Sequence, residues 1–317
     1  MSRHVARATP PARAPVHASR PSELLAHRMY LDIDWLLPGR QVTLKVEGFN
    51  IAGSIKLRTA LSMVEAAERR GQIGPGSSLV ESSSGNLGLA LAIICAERGY
   101  HFICVSDPKL SPSTARLIAA TGAELIVVTE KDNQGGYLQT RLAKIKELLQ
   151  ARPNVYWTNQ YGNPDNPLAH YGGTAVEMLA DWEDITHVFV GAGTTGTLSG
   201  VGRYLREQRP QIHLWAVDAV GSVTFGGPGS SRRYPGLGTS VAALISKTCA
   251  FDGLVYVSDD RTADMLSRMW RKGLMFGPST ATVLAAVEQI GRHRPLGGRI
   301  VAISPDMADR YTDWMVP

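Results

Sequence analysis

The sequence of 317 residues is poor in cysteine, with only three, and has no long hydrophobic run. Cys95, Cys104 and Cys249 show no spacing typical of metal ligands, so no metal site is expected. Cys95 and Cys104 lie in apolar runs and are expected to be small core residues. No segment contains 18 consecutive apolar residues, so no membrane span is expected. The few cysteines fit a reducing compartment, the cytoplasm.

Acidic residues are absent from residues 1–20, which carry four of the five net positive charges, on Arg3, Arg7, Arg13 and Arg20. The remaining chain is nearly neutral, whereas a nucleic-acid-binding domain would need a basic stripe. The tail also holds three prolines and few large apolar residues. We therefore expect a disordered tail over 1–20, with a transit peptide as the alternative, and no nucleic-acid partner.

From residue 42 onward, short β-rich runs alternate with longer helical runs. The predicted strands are VTLKV (42–46), SLVES (78–82), HFICVSD (101–107), ELIVVTE (124–130), THVFVGAG (186–193), IHLWAVDA (212–219), GLVYVSD (253–259) and GRIVAIS (298–304). Strands separated by helices of 10–15 residues predict an α/β fold with parallel sheets. Several strands are apolar throughout, which indicates that helices cover both faces of each sheet.

Two series of strands and helices are joined by the stretch NQYGNPDNP (159–167). We therefore predict two domains, each a mostly parallel twisted sheet flanked by helices. The smaller domain is expected over 45–162, and the larger over 21–44 together with 163–317. In such sheets ligands bind beyond the carboxyl ends of the strands, so the loops there are expected to carry the function.

Four loops follow predicted strands or open helices: FNIAGSIK (49–56), SSSGNLG (82–88), GAGTTGT (191–197) and FGPSTAT (276–282). Taken singly, a lysine in a first helical turn is usually solvated, and small-residue loops usually supply a cap. The loop GAGTTGT is a more specific signal, because its glycines let the backbone approach an anion and its threonine hydroxyls add hydrogen-bond donors. It is not a Walker loop. A phosphate-sized anion is expected there.

Together, the four loops resemble the cysteine-synthase-like family, fold type II, of enzymes that use pyridoxal 5'-phosphate (PLP), over about residues 30–310. The resemblance implies that PLP lies in the cleft between the domains and is bound to Lys56 as a Schiff base. It also implies that Asn86 bonds the ring hydroxyl oxygen and that Ser279 faces the pyridine nitrogen. The implied phosphate loop is Gly193, Thr194, Thr195, Gly196 and Thr197.

The expected roles have a chemical basis. A lysine that holds PLP and moves the substrate's α-proton needs a pocket that lowers its pKa. A neutral hydroxyl at Ser279 would leave the pyridine nitrogen unprotonated. This favours the loss of a β-substituent over transamination or racemisation.

The resemblance also implies that Ser83, Ser84 and Gly85 bind the substrate carboxylate, with help from Gln160. Three features depart from the family pattern. The usual glycine–asparagine–threonine–proline run near the start is absent, Leu57 replaces an aspartate after the lysine, and Thr280–Ala281 replace Ser-Gly after Ser279. These departures concern the choice of substrate more than the cofactor.

A narrower resemblance within the family, in runs such as SDPKLSPSTARLIAATGAE and WTNQYGN, implies that O-phospho-L-serine is joined to L-glutamate. The product would be a 2,3-diaminopropionate precursor for siderophores or peptide antibiotics. Both substrates are anionic, so cationic groups are expected near the cleft. Arg141 is the preferred candidate, with a solvated helix arginine as the alternative. Tyr161 lines the cleft or packs beside it, and Arg232 and Arg233 are further candidates.

The residues leave other functions open. A cysteine synthase would take sulfide with O-acetylserine or O-phosphoserine. A degenerate family member would bind PLP without turnover, but the intact Lys56, Asn86 and Ser279 argue against it. An adaptor built on the basic tail finds no support in the rest of the chain. The family is usually dimeric, which implies a homodimer.

Overall fold

The computed structural model describes residues 18–25, 28–132 and 135–314, without the side chains of 312–314. Residues 1–17, most of the predicted disordered tail, lie outside the described residues. A short 3-10 turn at Pro21–Glu23 opens the described chain. It is held by Ser22, whose amide and hydroxyl each donate to the Glu97 carboxylate at 2.8 Å.

Ten strands lie within the described ranges and form two sheets. They are β1 Tyr30–Asp32, β2 Gln41–Val46, β3 Ser78–Ser82, β4 His101–Ser106, β5 Glu124–Val127, β6 Val155–Trp157, β7 Ile185–Gly191, β8 His213–Ala219, β9 Gly253–Val257 and β10 Arg299–Ser304. The larger sheet has the order β1-β2-β10-β7-β8-β9 and is parallel except for β1. The smaller sheet, β5-β4-β3-β6, is entirely parallel. The predicted α/β class is confirmed.

Nine α-helices connect these strands in the described part of the chain. They are α1 Lys56–Arg69, α2 Asn86–Arg98, α3 Pro112–Ala120, α4 Leu138–Ala151, α5 Asp165–Ala169, α6 Val176–Asp181, α7 Gly196–Gln208, α8 Asp259–Trp270 and α9 Pro278–His293. A π-helical turn, His170–Ala175, joins α5 to α6. Further 3-10 turns lie at Leu244–Thr248 and Ala308–Trp314. No helix of these ranges has the length and apolar character needed to cross a membrane.

Alternation along β7 shows how each sheet buries both faces. Val188 and Val190 pack with helix α7, whereas Phe189 between them packs with α9 on the other face. The smaller sheet is arranged likewise, with α1, α2 and α3 on one face and α4 on the other. This explains why the strands are apolar throughout. The division of the chain into two domains at the predicted boundaries stays a prediction.

A ring of four charges, three of them buried and the fourth, Glu177, half-buried, fixes α1 in place. Lys45 on β2 lies 3.1 Å from Glu47 and 2.6 Å from Glu177 of α6. Arg58 of α1 contacts the same two carboxylates at 2.7 and 2.8 Å. Lys45 and Glu47 are completely buried. Because Arg58 is two residues after Lys56, this charge ring holds the first turn of α1 against the larger sheet.

Candidate active site

The loops at the carboxyl ends of the strands of both sheets surround one cavity of about 1280 Å³. Its wall includes every residue to which the sequence assigned a role: Lys56, Ser83, Ser84, Gly85, Asn86, Arg141, Gln160, Tyr161, Gly193, Thr194, Thr195, Gly196, Thr197 and Ser279. Arg232 and Arg233 also line it. The structure thus brings together residues that are far apart in the sequence, at the edge where open α/β sheets bind ligands.

Lys56 begins helix α1 and is half-buried in the cavity wall. The preceding loop is shaped by Asn50, whose side-chain amide donates to the carbonyls of Glu47 and Ser54 at 2.8 and 2.9 Å. Burial lowers the pKa of Lys56, and the nearby Asp306 carboxylate opposes the shift. A position at a helix N-terminus also disfavours an ammonium ion. These surroundings favour the neutral amine that a nucleophilic lysine needs.

Asn86, the first residue of α2, is held by three side chains that sequence reasoning missed. Its Nδ2 donates to Asp306 Oδ2 at 2.8 Å, and its Oδ1 accepts from Arg310. The Tyr311 hydroxyl donates to the same Asp306 carboxylate. These residues follow strand β10, in the segment SPDMADRY. The rule that ligands bind beyond the carboxyl ends of the strands therefore applied to this segment as well. The network fixes the direction of the Asn86 amide.

Asp306 is itself almost completely buried, at 2% exposure. Burial raises its pKa, and the hydrogen bonds from Tyr311 and Asn86 oppose the shift. Its Oδ1 has no hydrogen-bond partner among the described residues. Asp306 therefore acts on two residues of the cavity wall. It orients Asn86, and it places a carboxylate near Lys56.

The loop Gly193–Thr197 ends at the N-terminus of α7. The backbone amides of Gly193 and Thr194 make no hydrogen bond with described residues, and the amides of the first helical turn have no acceptor within the helix. A side chain at Gly196 is excluded, because a Cβ there would lie 2.0 Å from Asn166 Oδ1. Free amides at a helix N-terminus form a cradle for a phosphate group.

One hydroxyl of this loop has a buried partner. Thr197 Oγ1 lies 3.2 Å from Nε2 of His170, which is fully buried in the π-helical turn and also contacts Thr59 at 3.0 Å. Burial lowers the pKa of His170 well below its usual value, and the nearby basic groups of Lys56, Arg58 and Lys45 add to the shift. The ring is therefore neutral and links Thr59 of α1 to Thr197 of this loop.

Ser279 lies in the first turn of α9 and is 2% exposed. Its hydroxyl makes no hydrogen bond with described residues, and the backbone of Gly236 packs against it, since a Cβ at Gly236 would lie 2.2 Å from Ser279 Oγ. The group is thus a neutral donor or acceptor that faces the cavity. A lysine of lowered pKa, a cradle of free amides and a neutral buried hydroxyl fit the aldehyde, the phosphate and the ring of PLP.

The residues predicted for the substrate carboxylate differ in their surroundings. The Ser83 hydroxyl accepts from the amides of Gly88 and Gly85 at 2.9 and 3.3 Å, so it caps α2. Ser84 has no hydrogen-bond partner of its side chain among described residues. Gln160 donates through Nε2 to the carbonyl of Ser82 at 2.7 Å, which fixes its amide against the same loop.

Arg141 is 7% exposed and lies 3.2 Å from Asp107, so it is not a solvated helix arginine. It also contacts Tyr161. Burial raises the pKa of Tyr161, and Arg141 opposes the shift. A buried guanidinium on the cavity wall is suited to binding an anionic ligand.

Comparison with known proteins shows the enzyme family to which the chain belongs. A sequence profile described as "Pyridoxal-phosphate dependent enzyme" matches residues 33–306, and the chain belongs to this family. It is a PLP-dependent enzyme of the β-replacement type.

The chain is 41% identical over 280 residues to the N-(2-amino-2-carboxyethyl)-L-glutamate synthase of Cupriavidus metallidurans, covering 86% of this chain and 82% of that protein. It is 39% identical over 277 residues to the enzyme of the same name from Ralstonia nicotianae, covering 86% and 81%. Its structure is similar to that of the O-acetylserine dependent cystathionine β-synthase of Helicobacter pylori. Here the TM-score is 0.86 and the identity is 26%, over 94% of this chain and 98% of that chain.

Proposed function

We propose that the protein joins O-phospho-L-serine to L-glutamate in a PLP-dependent β-replacement. The β-phosphate leaves, and the amine of glutamate adds to the β-carbon to give N-(2-amino-2-carboxyethyl)-L-glutamate, a 2,3-diaminopropionate precursor. The names of the two relatives suggest this product. A siderophore or antibiotic pathway, a homodimer and a cytoplasmic location belong to the same proposal, by analogy.

The observation that carries the proposal is the excess of cations around the cavity. Besides Lys56, its basic lining residues are Lys109, Lys131, Arg141, Arg232, Arg233 and Arg310, against the acidic Asp107 and Asp306. Phosphoserine and glutamate each bring more than one negative charge, whereas O-acetylserine brings one carboxylate and sulfide is small. Such a cleft suits two anionic amino acids, because cationic donors attract and orient them.

PLP, when bound, supplies the electron withdrawal that acidifies the substrate's α-hydrogen and allows a β-substituent to leave. In the proposal, Lys56 holds the cofactor and, once freed by substrate, removes the α-proton and later returns it. Its lowered pKa favours the neutral, basic amine for this task. Asn86, oriented by Asp306, would meet the ring hydroxyl oxygen, and Gly193–Thr197 would bind the phosphate.

The first substrate would be oriented by the smaller sheet. Its α-carboxylate would meet the N-terminus of α2 at Ser84 and Gly85, beside the fixed Gln160 amide, because helix N-termini attract anions. Arg141 would bind its leaving phosphate. Arg141 is already paired with Asp107, which would keep the guanidinium in place before the substrate arrives.

The Arg141→Ala enzyme is expected to lose about ten- to a hundredfold in kcat/KM for phosphoserine, the typical effect of losing a charge-assisted contact. The visible absorbance of the bound cofactor is expected to stay unchanged. Steady-state kinetics and absorbance spectra measure both. Lys146→Ala, an exposed change on the same helix, serves as the control, and equal kinetics in the two variants would remove Arg141 from the site.

Ser279→Asp is expected to retain the cofactor but slow β-replacement by about a hundredfold, the size of a well-placed electrostatic group. A carboxylate would keep the ring nitrogen protonated and favour transamination and racemisation. Ser279→Ala keeps the nitrogen unprotonated and is the matched control. Product ratios by mass spectrometry measure the effect, and undiminished β-replacement by the aspartate variant would refute the role of a neutral group.

A cysteine synthase is the competing function, favoured by the likeness to an enzyme named for O-acetylserine. The deciding experiment gives the purified holoenzyme O-phosphoserine or O-acetylserine, offers sulfide or glutamate as the nucleophile, and identifies the product by mass. Cysteine as the product, with none from glutamate, would replace the proposed reaction by this alternative.

A further inference from the structure

Arg232 is a cation of the cavity wall without a carboxylate partner among the described residues. It lies in the loop between β8 and β9 and is half-buried. Its Nη1 donates to the backbone carbonyls of Gly221 at 2.6 Å and Thr239 at 3.4 Å. Its Nε and Nη2 make no hydrogen bond with described residues. One nitrogen thus anchors the guanidinium, and the edge formed by the other two stays available to a ligand.

The charge of Arg232 is poorly compensated. Burial lowers the pKa of Arg232, with Asp218 and Asp259 opposing the shift from a distance. Arg58 shows the contrast. Burial alone would lower its pKa too, but the adjacent carboxylates of Glu47 and Glu177 raise the pKa above its usual value. A partly buried cation without a fixed counter-ion gains from an anionic ligand.

The position of Arg232 separates it from the sites proposed for the carboxylate and phosphate of the first substrate. Its loop follows a strand of the larger sheet and packs beside Ser279 through Gly236. Arg141, Ser84 and Gly85 instead follow strands of the smaller sheet. The two loop systems approach each other in the cavity wall, where a Cβ added at Gly136 would lie 3.4 Å from the Ser240 hydroxyl. The cavity therefore has a cationic group on each of two walls.

We propose that Arg232 binds the side-chain carboxylate of the second, acidic amino-acid substrate through its free Nε–Nη2 edge and thereby selects that substrate over neutral amino acids. This inference rests on the proposed function. The first substrate's carboxylate and phosphate are assigned to the wall of the smaller sheet, whereas Arg232 lies on the wall of the larger sheet with an Nε–Nη2 edge unbonded among described residues, so we assign it to the incoming nucleophile. The planar edge of a guanidinium matches a carboxylate with two parallel hydrogen bonds.

The test compares L-glutamate with L-glutamine, which differ in charge but hardly in shape, as nucleophiles for the phosphoserine-loaded holoenzyme. The wild type is expected to prefer glutamate, and Arg232→Gln to lose about ten- to a hundredfold in kcat/KM for glutamate alone. Arg232→Lys keeps the charge and is expected to retain part of the preference. Lys247→Gln is the control, since Lys247 is an exposed cation in the same connection between β8 and β9 but does not line the cavity.

Three results would overturn the inference. Equal losses with glutamate and glutamine would mean that Arg232 only shapes its loop. A raised KM for phosphoserine with an unchanged preference would assign the arginine to the leaving phosphate. No effect in a folded Arg232→Gln enzyme would remove it from the site. If the wild type accepts neither amino acid, the proposed function fails first, so the two failures are distinguishable.

Discussion

Lys56→Ala is expected to lower the rate of β-replacement by about a thousandfold or more, because in the proposed function this one residue both holds the cofactor and transfers the proton. The variant should also lose the bond between protein and PLP that borohydride reduces. Single-turnover kinetics measure the first effect. Mass spectrometry of the borohydride-treated protein, digested into peptides, measures the second and locates the modified lysine.

Lys109→Ala is the matched control, because Lys109 lines the same cavity but is exposed. This variant is expected to keep the reducible bond on Lys56. A reducible adduct on another lysine in the Lys56→Ala protein, with activity retained, would contradict the assignment of Lys56.

Glu47→Ala is expected to lower the free energy of unfolding by about 3–5 kcal/mol, the usual effect of removing one partner from a buried ion pair. Glu47 is completely buried between Lys45 and Arg58. Without it, two buried cations share the single carboxylate of Glu177. Urea denaturation, followed by circular dichroism, measures the change if the transition remains two-state.

The control for this variant is Glu65→Ala on the same helix. Glu65 pairs with Arg98 at 3.2 Å, but its side chain is 46% exposed, and an exposed pair contributes about 0–1 kcal/mol. Similar losses in both variants would mean that the charge ring does not anchor α1. Because the ring lies close to Lys56, a destabilised Glu47→Ala protein is also expected to bind PLP less tightly.

The sequence predicted the α/β class and the loops at the cavity, because both depend on local patterns. Lys56, Gly193–Thr197 and Ser279 each lie where a strand or loop meets a helix, and such junctions can be recognised within a few residues. The strands β1 and β6 were not predicted, since each has only three residues. So short a run shows no period, and only pairing with a neighbour makes it a strand.

The parts that were missed depend on contacts between distant residues. Asp306 meets Asn86 across 220 positions, and Arg58 meets Glu177 across 119. No spacing in the sequence reveals such a pair. Arg141 shows the same limit, because a helical pattern cannot tell a solvated arginine from one buried beside Asp107. His170 was overlooked for lack of a motif, although its neutral ring contacts Thr197 in the loop proposed to bind phosphate.

The position of strand β10 has a consequence for the order in which the two sheets form during synthesis. It lies between β2 and β7, and the segment after it accepts a hydrogen bond from the Ile55 amide and holds Asn86 through Asp306. The strands of the smaller sheet are continuous in the sequence, from β3 to β6, so a growing chain can complete this sheet early. The larger sheet cannot be completed until β10 has emerged from the ribosome. Until then Lys56 lacks the neighbours that tune it, and the nascent chain has no finished pocket for its cofactor.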